Sequence, residues 1–268
     1  MKINFKTLKI GNISGTYYKS KRKTNTLVIY GIGAPIPPDN GTLPDAPILL
    51  NFGVDLFVPD YIGYGRSGGS FTPKNCLKTF LVLFEQYKTG CVGNDIYNNS
   101  QIKLKYKRVI FIGRSFGGTY IPVLPRFNNK IKELAIIYPV VDSKSCGSIK
   151  GEESNTDFLR TMFEGGYKYL YRGITNKVWE GHLENKDDLS PMDNIKYLEN
   201  AKLFIGHGKK DTCVHFSKSL RYYKKISQHF PSTPDSFKLN LYTEGDHSSR
   251  TSNLAVKDFM VWLGFKEL

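Results

Sequence analysis

The chain has 268 residues, 40% hydrophobic, 23% charged and 13% aromatic, which fits one large or two small folded domains and excludes a disordered, collagen-like or coiled-coil protein. Its 38 Lys and Arg against 24 Asp and Glu give a net charge of +14. The cations are spread over the whole chain without a helix-turn-helix, zinc-finger or RNP-type signature, so specific nucleic-acid binding is not expected.

Strand and helix alternate along the chain, which predicts an α/β fold. Residues 2–9 and 15–19 read as an antiparallel start, followed by a turn at 20–25. Thr26–Tyr30 is a continuous apolar strand that stops at Gly31. Pro and Gly make 33–41 a loop, and a short helix is expected over 44–52. Val54–Asp60 is the next strand and runs into a glycine-rich loop, Tyr61–Ser70. Leu77, Phe80, Leu81, Leu83, Phe84 and Tyr87 recur at helical spacing over 73–88. Arg108–Ile112 is the strongest buried-strand signal, with a helix expected from 116. Further strands are expected at 134–141, 202–205 and 237–242, and a closing amphipathic helix at about 250–263. Continuous apolar strands separated by helices predict a mainly parallel sheet covered on both faces.

Residues 142–195 break this rhythm, polar at first and then rich in aromatics: Phe158, Phe163, Tyr167, Tyr169, Tyr171 and Trp179. The stretch is too long for a simple connection and reads as an inserted helical cap within a single domain, 1–268. Its aromatics would either shape an apolar pocket or serve packing alone. No apolar run reaches about 18 residues, so no transmembrane helix is expected. The opening MKINFKTLKI lacks a secretory apolar core. Cys76, Cys91, Cys146 and Cys213 are far apart with no CxxC pair, so neither a zinc site nor a disulfide framework is expected. These features suggest a cytoplasmic protein with reduced thiols.

Gly113-Arg114-Ser115-Phe116-Gly117 is a G-x-S-x-G elbow that follows a strand directly, the context in which a serine stands on a tight strand-to-helix turn with its Oγ exposed. Gly65-Arg66-Ser67-Gly68-Gly69 matches the same pattern, but it lies inside a glycine-rich loop with no helix start. Ser115 is therefore the expected nucleophile. Asp211 and His247 follow successive strands, in the chain order Ser, acid, His that a hydrolase triad on such a sheet uses. A lone Asp or His is ordinarily a cap or a satisfied polar residue, and His182, His207, His215 and His229 are read that way, His207 as loop architecture. Asp246 adjoins His247 but follows no strand directly. The oxyanion donors are expected at the N–H of Phe116 and at Ile32, or at Gly33 if the register slips by one.

These motifs resemble those of the α/β-hydrolase superfamily over essentially the whole chain. Gly113–Gly118 is similar to the elbow of the prolyl oligopeptidase-like and serine aminopeptidase-like groups, and Pro59–Gly69 resembles their structural glycine-rich loop. Leu203–Asp211 resembles their acid loop and Gly245–His247 their histidine loop. The usual His-Gly before the oxyanion donor is Tyr30-Gly31 here. The resemblance implies a serine hydrolase with no metal or organic cofactor. It would act on a small ester, with a short peptide or amide as the alternative and a non-catalytic binding protein on the same fold as the third.

Overall fold

The computed structural model describes residues 4–164 and 169–268. The predicted Tyr167 of the cap lies outside them. The antiparallel start is a hairpin of β1 (Phe5–Ile10) and β2 (Ile13–Tyr18). β3 (Thr26–Gly31) and β4 (Asp55–Pro59) follow, with a short α1 (Ala46–Asn51) between them. α2 (Pro73–Thr89) starts where the Thr72 Oγ accepts the Asn75 N–H and Pro73 takes the first turn, and it ends at Gly90.

A second hairpin, β5 (Cys91–Asp95) and β6 (Gln101–Leu104), comes next and then β7 (Arg108–Arg114). α3 (Phe116–Tyr120) and α4 (Leu124–Phe127) are joined by one tight turn and lead to β8 (Glu133–Ile137). The long connection beyond β8 holds α5 (Asn155–Glu164) and α6 (Asn176–Leu183). β9 (Lys202–Gly208), α7 (Phe216–His229), β10 (Phe237–Tyr242) and α8 (Ser249–Trp262) complete the chain.

The strands form one sheet in the order β10-β9-β8-β7-β3-β4-β2-β1-β5-β6. Pairing is parallel from β10 through β4 and antiparallel beyond it. This is the mainly parallel sheet with an antiparallel start that the alternating pattern predicts. The central strands are buried on both faces: Leu27, Val28, Ile29, Ile110, Phe111, Ile112, Leu134 and Ile136 have no exposed surface. α1 packs on α8, and α2 packs on β7 and α4.

Two strand ends and one hairpin depart from the sequence reading. β8 ends at Ile137 rather than 141: the Tyr138 N–H makes the last bond to β9, to the Gly206 carbonyl at 2.7 Å, and its φ of +36 then turns the chain out of the strand. β9 continues through His207 to Gly208 rather than stopping at Ile205. Pairing with β10 carries it on, Leu241 opposite His207 and Tyr242 opposite Gly208. The β5–β6 hairpin has no counterpart in the sequence reading.

The connection beyond β8 is tied to the glycine-rich loop after β4. Gly65 N–H donates to the Leu170 carbonyl at 2.9 Å, Phe71 N–H to Arg172 at 2.6 Å and Arg172 N–H to Gly63 at 2.8 Å. The Arg172 guanidinium donates to the carbonyls of Gly65 and Ser67. Trp179 and Tyr171 pack on Phe71, their ring centres 4.9 and 4.6 Å away. These two aromatics have under 2% exposure and act as core.

Candidate active site

Parallel strands bring their carboxyl ends to one edge of the sheet, and the loops there carry ligands in folds of this kind. At that edge lie Ile32 after β3, Ser115 after β7, Tyr138 after β8, Asp211 after β9 and His247 after β10.

Ser115 holds φ +52 and ψ −121, an uncommon region for a non-glycine residue. Its N–H donates to the Ile137 carbonyl at 2.9 Å, and its carbonyl accepts from Gly118 N–H at 2.9 Å. The flanking glycines permit the turn. A Cβ on Gly113 would lie 2.5 Å from the Gly117 carbonyl oxygen, and one on Gly117 would lie 2.4 Å from that of Gly31. Phe116 opens α3, so its N–H has no acceptor within the helix. The loop after β3 lies against the same turn. The ideal Cβ position of Gly33 is 3.2 Å from Ser115 Cβ, and the Ile32 carbonyl is held by the Tyr61 hydroxyl at 2.6 Å.

The acid and the imidazole meet because their loops are joined. Lys210 N–H donates to Gly245 and Lys209 N–H to Tyr242, both at 2.8 Å. Gly208 passes so close to Gly245 that a Cβ there would stand 2.3 Å from its carbonyl carbon. His247 Nδ1 is 2.7 Å from Asp211 Oδ2. The other carboxylate oxygen accepts the N–H groups of Cys213 and Val214, each at 2.9 Å. Asp211 is 3% exposed. Burial pushes its carboxyl upward, but hydrogen bonds from His207 and His247 outweigh that and hold it well below the usual carboxylate range. His247 remains partly open, and its ring lies 4.2 Å from that of Tyr138.

Ser115 and His247 line one cavity with Gly33, Ala34 and Tyr138. A second cavity also reaches Ser115. It encloses about 50 Å³ and is lined by Phe116, Val140, Phe158, Leu183, Glu153 and Cys213. Burial, and then the Asp211 charge, hold the Cys213 thiol above its usual range.

The remaining candidates separate cleanly. Ser67 is 1% exposed; its hydroxyl donates to the Asp60 carbonyl at 2.7 Å and accepts the Ser14 N–H at 2.9 Å. It ties the glycine-rich loop to β2. Asp246 is exposed and accepts from the Ser248 hydroxyl, whereas His247 Nδ1 is taken by Asp211. His215 accepts the Ser217 N–H as the cap of α7. His182 is buried beside Asp187, 2.8 Å from Nδ1 to Oδ2. His207 is not loop architecture: it is buried in β9 with Nε2 3.2 Å from Asp211 Oδ2.

The sequence reading does not single out Tyr138, Glu153 or Cys213. For Cys213 the available signal is its place two residues after Asp211. Tyr138 and Glu153 reach the site only through the positive-φ turn after β8 and the course of the long connection, which no local pattern specifies.

Residues 48–266 match the pattern of the prolyl oligopeptidase family. No curated protein matches the sequence. Among solved structures, the acylaminoacyl peptidase of Pyrococcus horikoshii superposes with a TM-score of 0.65 at 12% identity, covering 97% of this chain and 40% of that one. The Pyrococcus furiosus esterase Pf2001 gives 0.60 at 16% identity, covering 97% and 92%. Est1E from Butyrivibrio proteoclasticus, in its structure with bound ferulic acid, gives 0.64 at 16% identity, covering 95% and 97%. These likenesses establish the α/β-hydrolase fold.

Proposed function

Because the chain belongs to the prolyl oligopeptidase family of serine hydrolases, we propose that Ser115, His247 and Asp211 are its triad and that its substrate is a small carboxylic ester. The observation that carries this is the 2.7 Å bond from His247 Nδ1 to Asp211 Oδ2 beside a cavity that His247 shares with the strained Ser115 turn. Asp211, kept ionised, fixes the proton on Nδ1 and leaves Nε2 free to act as base. Nε2 takes the hydroxyl proton as Ser115 Oγ attacks the ester carbonyl. The developing oxyanion is met by the N–H of Phe116, and by that of Ile32 or its neighbour Gly33. Each such donor is worth about 10²–10³ in rate. His247 then gives its proton to the leaving alcohol, and water, activated by the same base, releases the acid from the acyl-enzyme.

The enclosed space beside Ser115, about 50 Å³ with Phe158 and Phe116 as walls, suits a short acyl group. A second reading, hydrolysis of an aminoacyl amide, is favoured by one feature, the Glu153 carboxylate on that cavity, where it can meet a substrate ammonium.

Labelling with a fluorescent fluorophosphonate tests the site without a substrate. It should be lost in Ser115→Ala, kept in Ser67→Ala and strongly reduced in His247→Ala. A parallel panel of short-chain esters and aminoacyl amides separates the two readings, with Glu153→Gln lowering amide turnover only if the second holds. Undiminished labelling of Ser115→Ala would refute the assignment.

A further inference from the structure

Asp211 and His247 have a third donor beside them. The thiol of Cys213, a carboxylate oxygen of Asp211 and a ring nitrogen of His247 all lie within 4.8 Å of one another. Cys213 is unpaired with any other cysteine and only half-buried, and it lines the cavity that reaches Ser115, so an ion has a path to it. Carboxylate, imidazole and thiolate are the donor set that zinc takes, and a thiolate favours zinc or cadmium over magnesium or calcium.

The geometry is close to what such an ion needs. Zinc binds oxygen and nitrogen at about 2.0–2.2 Å and sulfur at about 2.3 Å, which sets tetrahedral donors roughly 3.3–3.8 Å apart. The Asp211–His247 contact, 2.7 Å, must open by less than about 1 Å, and the thiol must close by a similar amount. Small side-chain rotations in two adjacent loops close this difference, and water can supply the fourth donor.

We propose that Asp211, Cys213 and His247 form an inhibitory site for a thiophilic divalent cation, zinc or cadmium. The inhibition, though not the binding, rests on the triad assignment above. The cation bonds to Cys213 Sγ, whose proton leaves to solvent, and to Asp211 Oδ2. It also takes His247 Nδ1, shifting the imidazole proton to Nε2. The base then has no free lone pair for the Ser115 proton and the acid no longer orients it, so hydrolysis stops until the cation is removed by a chelator.

The full chain is titrated with cadmium chloride while the ultraviolet thiolate-to-cadmium charge-transfer band is followed. Zinc chloride is titrated separately against fluorophosphonate labelling. Cys213→Ser, Cys213→Ala and Cys146→Ser are run beside the wild type, each scaled to its own metal-free rate. The expected result is a band of one cadmium per chain that both Cys213 variants lose and Cys146→Ser keeps. The half-inhibitory zinc concentration should rise about tenfold or more in the Cys213 variants, and a chelator should restore wild-type labelling. Equal zinc sensitivity in the Cys213 variants, or a band that survives in them, overturns the site. So does a wild type that labels normally and shows neither band nor inhibition. A protein that never labels but gives the Cys213-dependent band upholds the cation site and overturns the triad.

Discussion

His207 sets its Nε2 3.2 Å from the Asp211 carboxylate, on the same oxygen that His247 holds at 2.7 Å. Nε2 is also 2.8 Å from the Val214 carbonyl, which can only accept, so this nitrogen carries the proton. Nδ1 then accepts from the Ser219 hydroxyl at 2.8 Å. One imidazole with no exposed surface thereby fastens β9, the acid loop and α7 together. His207→Ala leaves the Val214 carbonyl and the Ser219 hydroxyl without this partner in a dry site. At about 1–3 kcal/mol for each abandoned group, the expected loss of stability is roughly 2–6 kcal/mol. Urea unfolding measures it. Turnover should fall as well, because the Asp211 carboxylate loses one of its supports, and His207→Gln, which keeps a donor, should recover part of both losses.

The depressed Asp211 carboxyl makes a pH prediction with a definite sign. Its folded pKa lies below the unfolded value of about 3.9, so the unfolded chain binds the proton first and folding stability rises with pH through this region. The contribution is complete above about pH 5, begins to fade near pH 4 and is lost as the pH falls through the folded value. Asp211→Asn removes this dependence. The stability gap between wild type and Asp211→Asn should therefore narrow steadily from pH 5 to pH 3 in urea titrations. A gap that stays constant over that interval would show that the carboxyl is not held down by its two imidazoles.

How much of this is legible in the sequence depends on where the signal lies. β3, β7 and β8 announce themselves because both of their faces are buried and their residues run apolar without a break, as in Val109–Ile112. The β5–β6 hairpin does not. Gln101-Ile102-Lys103-Leu104 is a half-exposed edge strand, and Gly93, Asn94 and Asp95 are poor strand formers held in place by pairing with β1 and β6. The same division runs through the site. Ser115 and its glycines form a local steric motif, so the pattern carries them. The partnership of His207 with Asp211 depends on β9 extending past Ile205, which β10 decides from a distance in sequence. The positive φ of Tyr138, which turns its ring toward His247, has no glycine to mark it.

Under the proposed triad, the Ser115 turn sets stability against function at a single residue. A non-glycine side chain at φ +52 and ψ −121 costs on the order of 1–3 kcal/mol, and the surrounding glycines and the Ile137 bond hold it there. Glycine carries no such penalty. Ser115→Gly should therefore raise the midpoint of thermal unfolding relative to Ser115→Ala, while both are inert toward the fluorophosphonate. The comparison with Ala cancels the loss of the hydroxyl and isolates the backbone. Part of the gain is offset by the greater freedom of glycine in the unfolded chain, so a net difference of about 1 kcal/mol is expected. Equal midpoints would mean that the turn is unstrained.

The aromatics of the long connection divide by what they touch. Trp179 and Tyr171 pack on Phe71 within the core, whereas Phe158 stacks near Phe116 at 6.2 Å and walls the space beside Ser115. Phe163 lies on an adjoining groove with Leu159, Arg160 and Asn176, and does not line the space beside Ser115. Phe158→Ala should thus open room for longer acyl groups and shift the kcat/KM optimum of an ester series from short chains toward longer ones. Each additional buried methylene can gain about 0.8 kcal/mol, close to fourfold, until the new space is filled. Phe163→Ala should leave the optimum where it is. Trp179→Ala is the contrasting case: it removes a fully buried indole and should cost about 3–5 kcal/mol of stability through the cavity it leaves. An optimum that moves with Phe163 and not with Phe158 would place the acyl pocket in the outer groove rather than against Ser115.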